Sequence, residues 1–80
     1  MEGNKKKILV IEDNKDLINS YIEALETGSY DTLKALDGYQ GLDIMSKNFG
    51  NIDLVLLDLM MPGVDGLEVL RTVKDNEDKY

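Results

Sequence analysis

The sequence predicts an α/β fold: an open parallel sheet built from three successive βα units. Three observations point there. Short apolar runs stand at residues 8–11, 30–36 and 52–57. After each run, apolar residues recur at the spacing of an amphipathic helix. Strands that alternate with helices along a chain form parallel sheets with right-handed crossovers.

In the first unit, Lys5, Lys6 and Lys7 lead into Ile8-Leu9-Val10-Ile11, a continuous apolar run of the kind buried on both faces of a parallel sheet. Asn14 is a good N-cap. Leu17, Ile18, Tyr21, Ile22 and Leu25 then form one helical stripe, and Gly28 is placed to close it as a C′ glycine. The second run, Tyr30 to Leu36, is interrupted by Asp31 and Lys34, which suits an edge strand defended by charge. Asp37-Gly38 opens a helix with Leu42, Met45 and Phe49 on its apolar side and Gly50 at its end. Gly41 inside that helix is expected to lower stability by about 1 kcal/mol relative to alanine. The third run, Ile52 to Leu57, is apolar except for Asp53. Asp65 and Glu68 have capping-box spacing, and Leu67, Leu70 and Val73 supply the stripe of a third helix. That helix is expected to end by Lys74, because the acids that follow oppose the helix dipole.

At 80 residues the chain is sized for one small domain. Sixteen acidic against nine basic side chains give a net charge of −7, which argues against nucleic acid and anionic membranes as partners. Without cysteine or histidine there is no disulfide, no zinc–thiolate site and no imidazole base. No apolar run approaches the roughly 20 residues of a membrane span. A cytoplasmic setting is expected.

The chemistry lies in the carboxylates. In open α/β sheets ligands bind outside the carboxyl ends of the strands. The first run ends in Glu12-Asp13 and the third in Asp58. If those two strands are neighbours, three carboxylates share one pocket. Two unit charges ~4 Å apart repel by about 1 kcal/mol in water and about 4 kcal/mol at an effective dielectric of 20. Such a cluster needs a proton or a cation, and oxygen ligands select Mg²⁺ or Mn²⁺. A carboxylate can attack phosphorus to give an acyl phosphate, with a metal screening the charge. In the loop that follows, Met60 could offer only its backbone carbonyl to a hard metal. Pro62-Gly63 fits a type II turn, and Gly66 lets the backbone run close to its neighbours.

Three stretches, ILVIEDN at 8–14, ALDGYQGL at 35–42 and DLVLLDLMMPGVDGLEVLR at 53–71, resemble the receiver domain of bacterial two-component response regulators. The resemblance implies a flavodoxin-like fold with strand order 2-1-3, cut after the third βα unit. Residues 1–80 would then be a single truncated receiver-like domain. By resemblance Asp58 is the phosphoacceptor, phosphorylated by a sensor histidine kinase or a phosphotransfer protein of a phosphorelay. Glu12 and Asp13 match the acidic pair that helps bind Mg²⁺, the Met60 carbonyl matches a further metal contact, and Pro62 and Gly66 match the supporting loop. No residue matches the family's later Ser/Thr or lysine, so an impaired phosphoacceptor is expected. Ser29 stands where the family often has glycine, and Gly41 where it often has alanine. The chain is not expected to be an enzyme in its own right.

The competing reading is a self-associating structural half-domain, a homodimer through the open sheet edge, without phosphoryl transfer. A flavin-binding relative is disfavoured, because Glu12-Asp13 would repel a phosphate where such a fold needs a phosphate cradle. An aspartate-nucleophile phosphatase would want a second acid where Met60 stands, and the calcium-loop pattern is not matched.

Overall fold

The computed structural model describes residues 5–58 and 66–76. The elements run β1 (Lys7–Ile11), α1 (Lys15–Thr27), β2 (Asp31–Ala35), α2 (Gly38–Lys47), β3 (Leu54–Leu57) and α3 (Gly66–Asp75). The sheet has the order β2-β1-β3 with both pairings parallel, as the sequence predicts. Ile8 pairs with Thr32 on one side and Leu54 on the other, and Ile11 with Ala35 and Leu57.

The unbroken apolar run of β1 has its reason here, since successive side chains point to opposite faces and both are covered. Leu9 and Ile11 pack with Ala35, Met45 and Val69, with Val55, Leu57 and Val73 around them. Ile8 and Val10 pack with Ile18, flanked by Ile22, Leu25 and Leu36. Leu9, Val10 and Ile11 have no solvent exposure. β2 is an edge strand among the described residues, with Asp31 and Lys34 exposed.

The local signals resolve with several differences. Asn14 caps α1, its side chain accepting from the Leu17 N–H at 2.9 Å. At the other end Gly28 has φ −82°, and the left-handed residue is Ser29, φ 72°. The Ser29 N–H donates to the Glu26 carbonyl and the Tyr30 N–H to the Leu25 carbonyl, the two bonds of a Schellman closure. The C′ role expected of Gly28 therefore falls to Ser29. Leu17 and Tyr21 of the α1 stripe are exposed, unlike Ile18, which packs on Ile8 and Val10 of β1.

In α2, Asp37 caps Gln40, and the Gln40 side chain in turn accepts from the Leu36 N–H. Asn48 stops the helix by donating from its backbone to the Ile44 and Met45 carbonyls. Phe49 therefore leaves the helical stripe and is 53 % exposed. Gly41 is buried against Ile11. A Cβ there would run into Ile11 Cδ1 and lie 3.0 Å from its Cγ1, so the glycine lets α2 approach β1 closely.

Among the described side chains of α3, Val69, which the sequence stripe omitted, is buried at 1 % exposure, and Val73 of that stripe packs one turn on. Asp65 and the side chains of Leu67, Glu68 and Leu70 lie outside the described residues. α3 runs one residue past Lys74 to Asp75, where the Asn76 side chain donates to the Thr72 carbonyl. At the entry to β3, Asp53 braces β1, its carboxylate accepting from the Lys7 N–H at 2.8 Å.

Candidate phosphoacceptor site

Parallel pairing carries the ends of β1 and β3 to the same edge of the sheet. Past the last paired residues, the Glu12 N–H donates to the Ala35 carbonyl at 3.1 Å and the Asp58 N–H to the Ile11 carbonyl at 3.0 Å. These bonds extend both ladders by one step and set the two acids side by side. Asp13 follows in the turn before Asn14 starts α1. Glu12, Asp13 and Asp58 each offer a carboxylate oxygen, and the three atoms lie within 4.8 Å of one another. The convergence inferred from the sequence is present.

The three differ in exposure. Glu12 is buried, Asp58 half-buried and Asp13 exposed. The Glu12 carboxylate accepts from the Asn14 N–H at 3.0 Å, which fixes its direction and favours its charged form. Burial outweighs that bond and, with repulsion from Asp58 and Asp13 and a hydrogen bond to Asp13, pushes the Glu12 carboxyl above the ordinary glutamate range. The cluster thus holds negative charge at a cost, and a cation would relieve it. The donor set fits a hard divalent ion, being all oxygen in a chain without histidine or cysteine.

A cleft of about 240 Å³ opens beside the cluster, lined by Glu12 and Asp58 together with Tyr21 and Leu56. Tyr21, read from the sequence as part of the α1 apolar stripe, and Leu56 border the site, which no local sequence signal indicates. Met60 and Pro62 lie outside the described residues, and Gly66 is the first residue of α3.

The profile of the response regulator receiver domain matches residues 8–80. The chain belongs to the receiver domain family. Among curated relatives, this receiver is 38 % identical over 77 residues to the CAI-1 autoinducer sensor kinase/phosphatase CqsS of Vibrio cholerae, covering 96 % of the chain and 11 % of that protein. It is 32 % identical over 73 residues to the polar-differentiation response regulator DivK of Brucella ovis, covering 91 % of the chain and 58 % of that protein. Among solved structures, the response regulator TrrA of Thermotoga maritima, crystallised in complex with Mg²⁺-BeF, superposes with a TM-score of 0.78 at 36 % identity. That match covers 91 % of this receiver and 63 % of the TrrA chain. The chain therefore spans less than two thirds of each of these relatives. Among the described residues no helix is long and apolar enough to cross a membrane.

Proposed function

We propose that this receiver domain is a Mg²⁺-dependent phosphoacceptor of two-component signalling, phosphorylated on Asp58 by a histidine kinase or a phosphotransfer protein in the cytoplasm. The observation that carries the reading is the meeting of Glu12, Asp13 and Asp58 at the mouth of the sheet. The TrrA complex with Mg²⁺-BeF adds support from a relative.

The roles divide by exposure and position. Asp58 is half-buried at the end of β3 and borders the cleft, where an incoming phosphoryl group can reach its oxygen. In that step an Asp58 oxygen forms a bond to phosphorus and the donor's phosphorus–nitrogen bond breaks. Glu12 and Asp13 would hold the ion together with Asp58 and, by resemblance, the Met60 carbonyl. The ion, Mg²⁺ or Mn²⁺, supplies positive charge against which the phosphoryl oxygens are stabilised. Glu12 is directed by the Asn14 N–H, and its burial keeps one ligand pre-positioned. The domain accepts the group and is not a turnover catalyst. The family's later hydroxyl and lysine have no counterpart in these 80 residues, so phosphorylation of this polypeptide alone is slow; one missing charge-stabilising group often lowers the rate ~10²–10³-fold.

The test is transfer of labelled phosphoryl from a histidine-phosphorylated donor domain. Label should appear on wild type only with Mg²⁺ and be absent from Asp58→Asn. Label on Asp58→Asn would reject the assignment.

The competing reading is a structural half-domain that self-associates. Its support is the third strand, an edge among the described residues, where Leu54 and Leu56 are 57 % and 41 % exposed and no residue is charged. Apolar edges recruit other strands, and a two-fold axis would pair β3 with its copy antiparallel. Sedimentation equilibrium at micromolar concentration separates the two readings, a monomer excluding the homodimer.

A further inference from the structure

α2 starts where β2 ends, at the same edge of the sheet as Glu12 and Asp58. Gly41 lies buried in its first turns and is seated against Ile11, the last residue of β1. A Cβ on Gly41 would run into Ile11 Cδ1 and stand 3.0 Å from Cγ1 and 3.5 Å from Cγ2. The contact is with the body of the Ile11 side chain and not with its tip alone. Gly41 stands where the receiver family often has alanine, so this close approach is a feature of this chain.

Ile11 in turn holds the site. Its carbonyl accepts the Asp58 N–H at 3.0 Å, and it is joined to Glu12, whose N–H donates to the Ala35 carbonyl at 3.1 Å. Both acids therefore take their position from where Ile11 sits. Ile11 has no room to turn away from an added methyl, being fully buried in one cluster with Leu9, Ala35, Met45 and Val69. Nor is the start of α2 free to retreat. Its cap Asp37 accepts from the Gln40 N–H, and the Gln40 side chain accepts from the Leu36 N–H, both at 2.8 Å, which ties the helix to the end of β2. Close-packed interiors pass such strain on to their neighbours.

We propose that Gly41 is a positioning residue of the carboxylate site, its missing side chain seating Ile11 so that Glu12 and Asp58 meet Asp13 around one ion. Mg²⁺ requires near-ideal octahedral geometry at about 2.0–2.1 Å, so a small displacement at the end of β1 lowers affinity. The ion's part in this inference rests on the metal reading given above; the seating of Ile11 does not.

The test compares wild type with Gly41→Ala, the double variant Ile11→Val/Gly41→Ala, and Ile18→Val. Valine at position 11 removes the Cδ1 that the new methyl meets. Ile18→Val trims the core on the opposite face of the sheet and controls for lost stability. Two quantities are read at a temperature where circular dichroism shows every variant folded. In EDTA, hydrogen exchange of the Asp58 amide, relative to the Leu9 and Val10 amides, reports the bond to Ile11. Isothermal titration gives the Mg²⁺ dissociation constant. Gly41→Ala should speed Asp58 exchange and weaken Mg²⁺ about tenfold, the loss typical of a residue that orients metal ligands. The double variant should recover both, and Ile18→Val should change neither. Unchanged Asp58 exchange or unchanged affinity in Gly41→Ala, an equal effect in Ile18→Val, or a defect that Ile11→Val does not relieve overturns the proposal. If Gly41→Ala alone does not fold, the double variant decides: wild-type Asp58 exchange supports the proposal and faster exchange overturns it. A wild type that binds no Mg²⁺ would reject the metal reading, and the exchange rates would then decide the positioning on their own.

Discussion

Replacing Glu12 by glutamine tests the electrostatics of the site with little change of shape. Glutamine keeps an oxygen for the Asn14 N–H, which the Glu12 carboxylate accepts at 3.0 Å. It removes one charge from a cluster whose oxygens lie within 4.8 Å of one another. At that separation each pair of charges repels by about 0.9 kcal/mol in bulk water and about 3.5 kcal/mol at an effective dielectric of 20. Asp13 is exposed and Asp58 half-buried, so the water-like end of that range applies, about 1–2 kcal/mol for the two pairs together. In a domain of this size 1 kcal/mol moves the midpoint by about 4–8 °C. In EDTA at neutral pH, Glu12→Gln should therefore melt several degrees above wild type by circular dichroism. Saturating Mg²⁺ should raise wild type and leave the variant nearly unmoved. The pH dependence has a definite sign. Burial, then repulsion from Asp58 and Asp13, raises the Glu12 carboxyl in the folded state. The folded state therefore holds that proton more tightly than the unfolded chain. Its contribution to stability is present at low pH and is lost as pH rises from the ordinary glutamate range through the raised value. The variant should lack this decline. A variant that melts below wild type in EDTA would refute the reasoning.

Three further outcomes are expected. Ser29→Gly relieves a left-handed serine at the closure of α1 and should stabilise the domain by about 1 kcal/mol in urea unfolding. Gly41→Ala gains about 1 kcal/mol of helix propensity but drives a methyl into the buried Ile11 side chain; overpacking of about 1–3 kcal/mol should make the variant less stable, read by the same unfolding curve. Asp13→Ala should abolish the heat of Mg²⁺ binding in isothermal titration, and an unchanged titration would remove Asp13 from the site.

The parts of the fold that the sequence made legible are those where a local signal and its tertiary context agree. The Ile8–Ile11 run reads as a strand covered on both faces, and it is. Asn14 reads as a cap and Asp37 as the opening of a helix, and their side chains bond the first turns of α1 and α2. The site was legible for the same reason, because an acid closing an apolar run needs only parallel pairing to meet its counterpart. What stayed hidden depends on neighbours. Gly41 reads as a helix weakness until Ile11 is placed beneath it. Val69 was not counted in the stripe of Leu67, Leu70 and Val73, yet it packs on Leu9 and Ile11 alongside Val73. Phe49 continues the α2 spacing, but Asn48 ends the helix first.

The central claim is that Asp58 accepts a phosphoryl group with Glu12 and Asp13 beside it. Intact mass measurement after incubation with acetyl phosphate and Mg²⁺ tests it most directly. The account predicts a slowly formed single phosphoryl adduct on wild type, lost when Mg²⁺ is chelated and absent from Asp58→Asn. An adduct of equal yield on Asp58→Asn, or one formed equally well in EDTA, would contradict it.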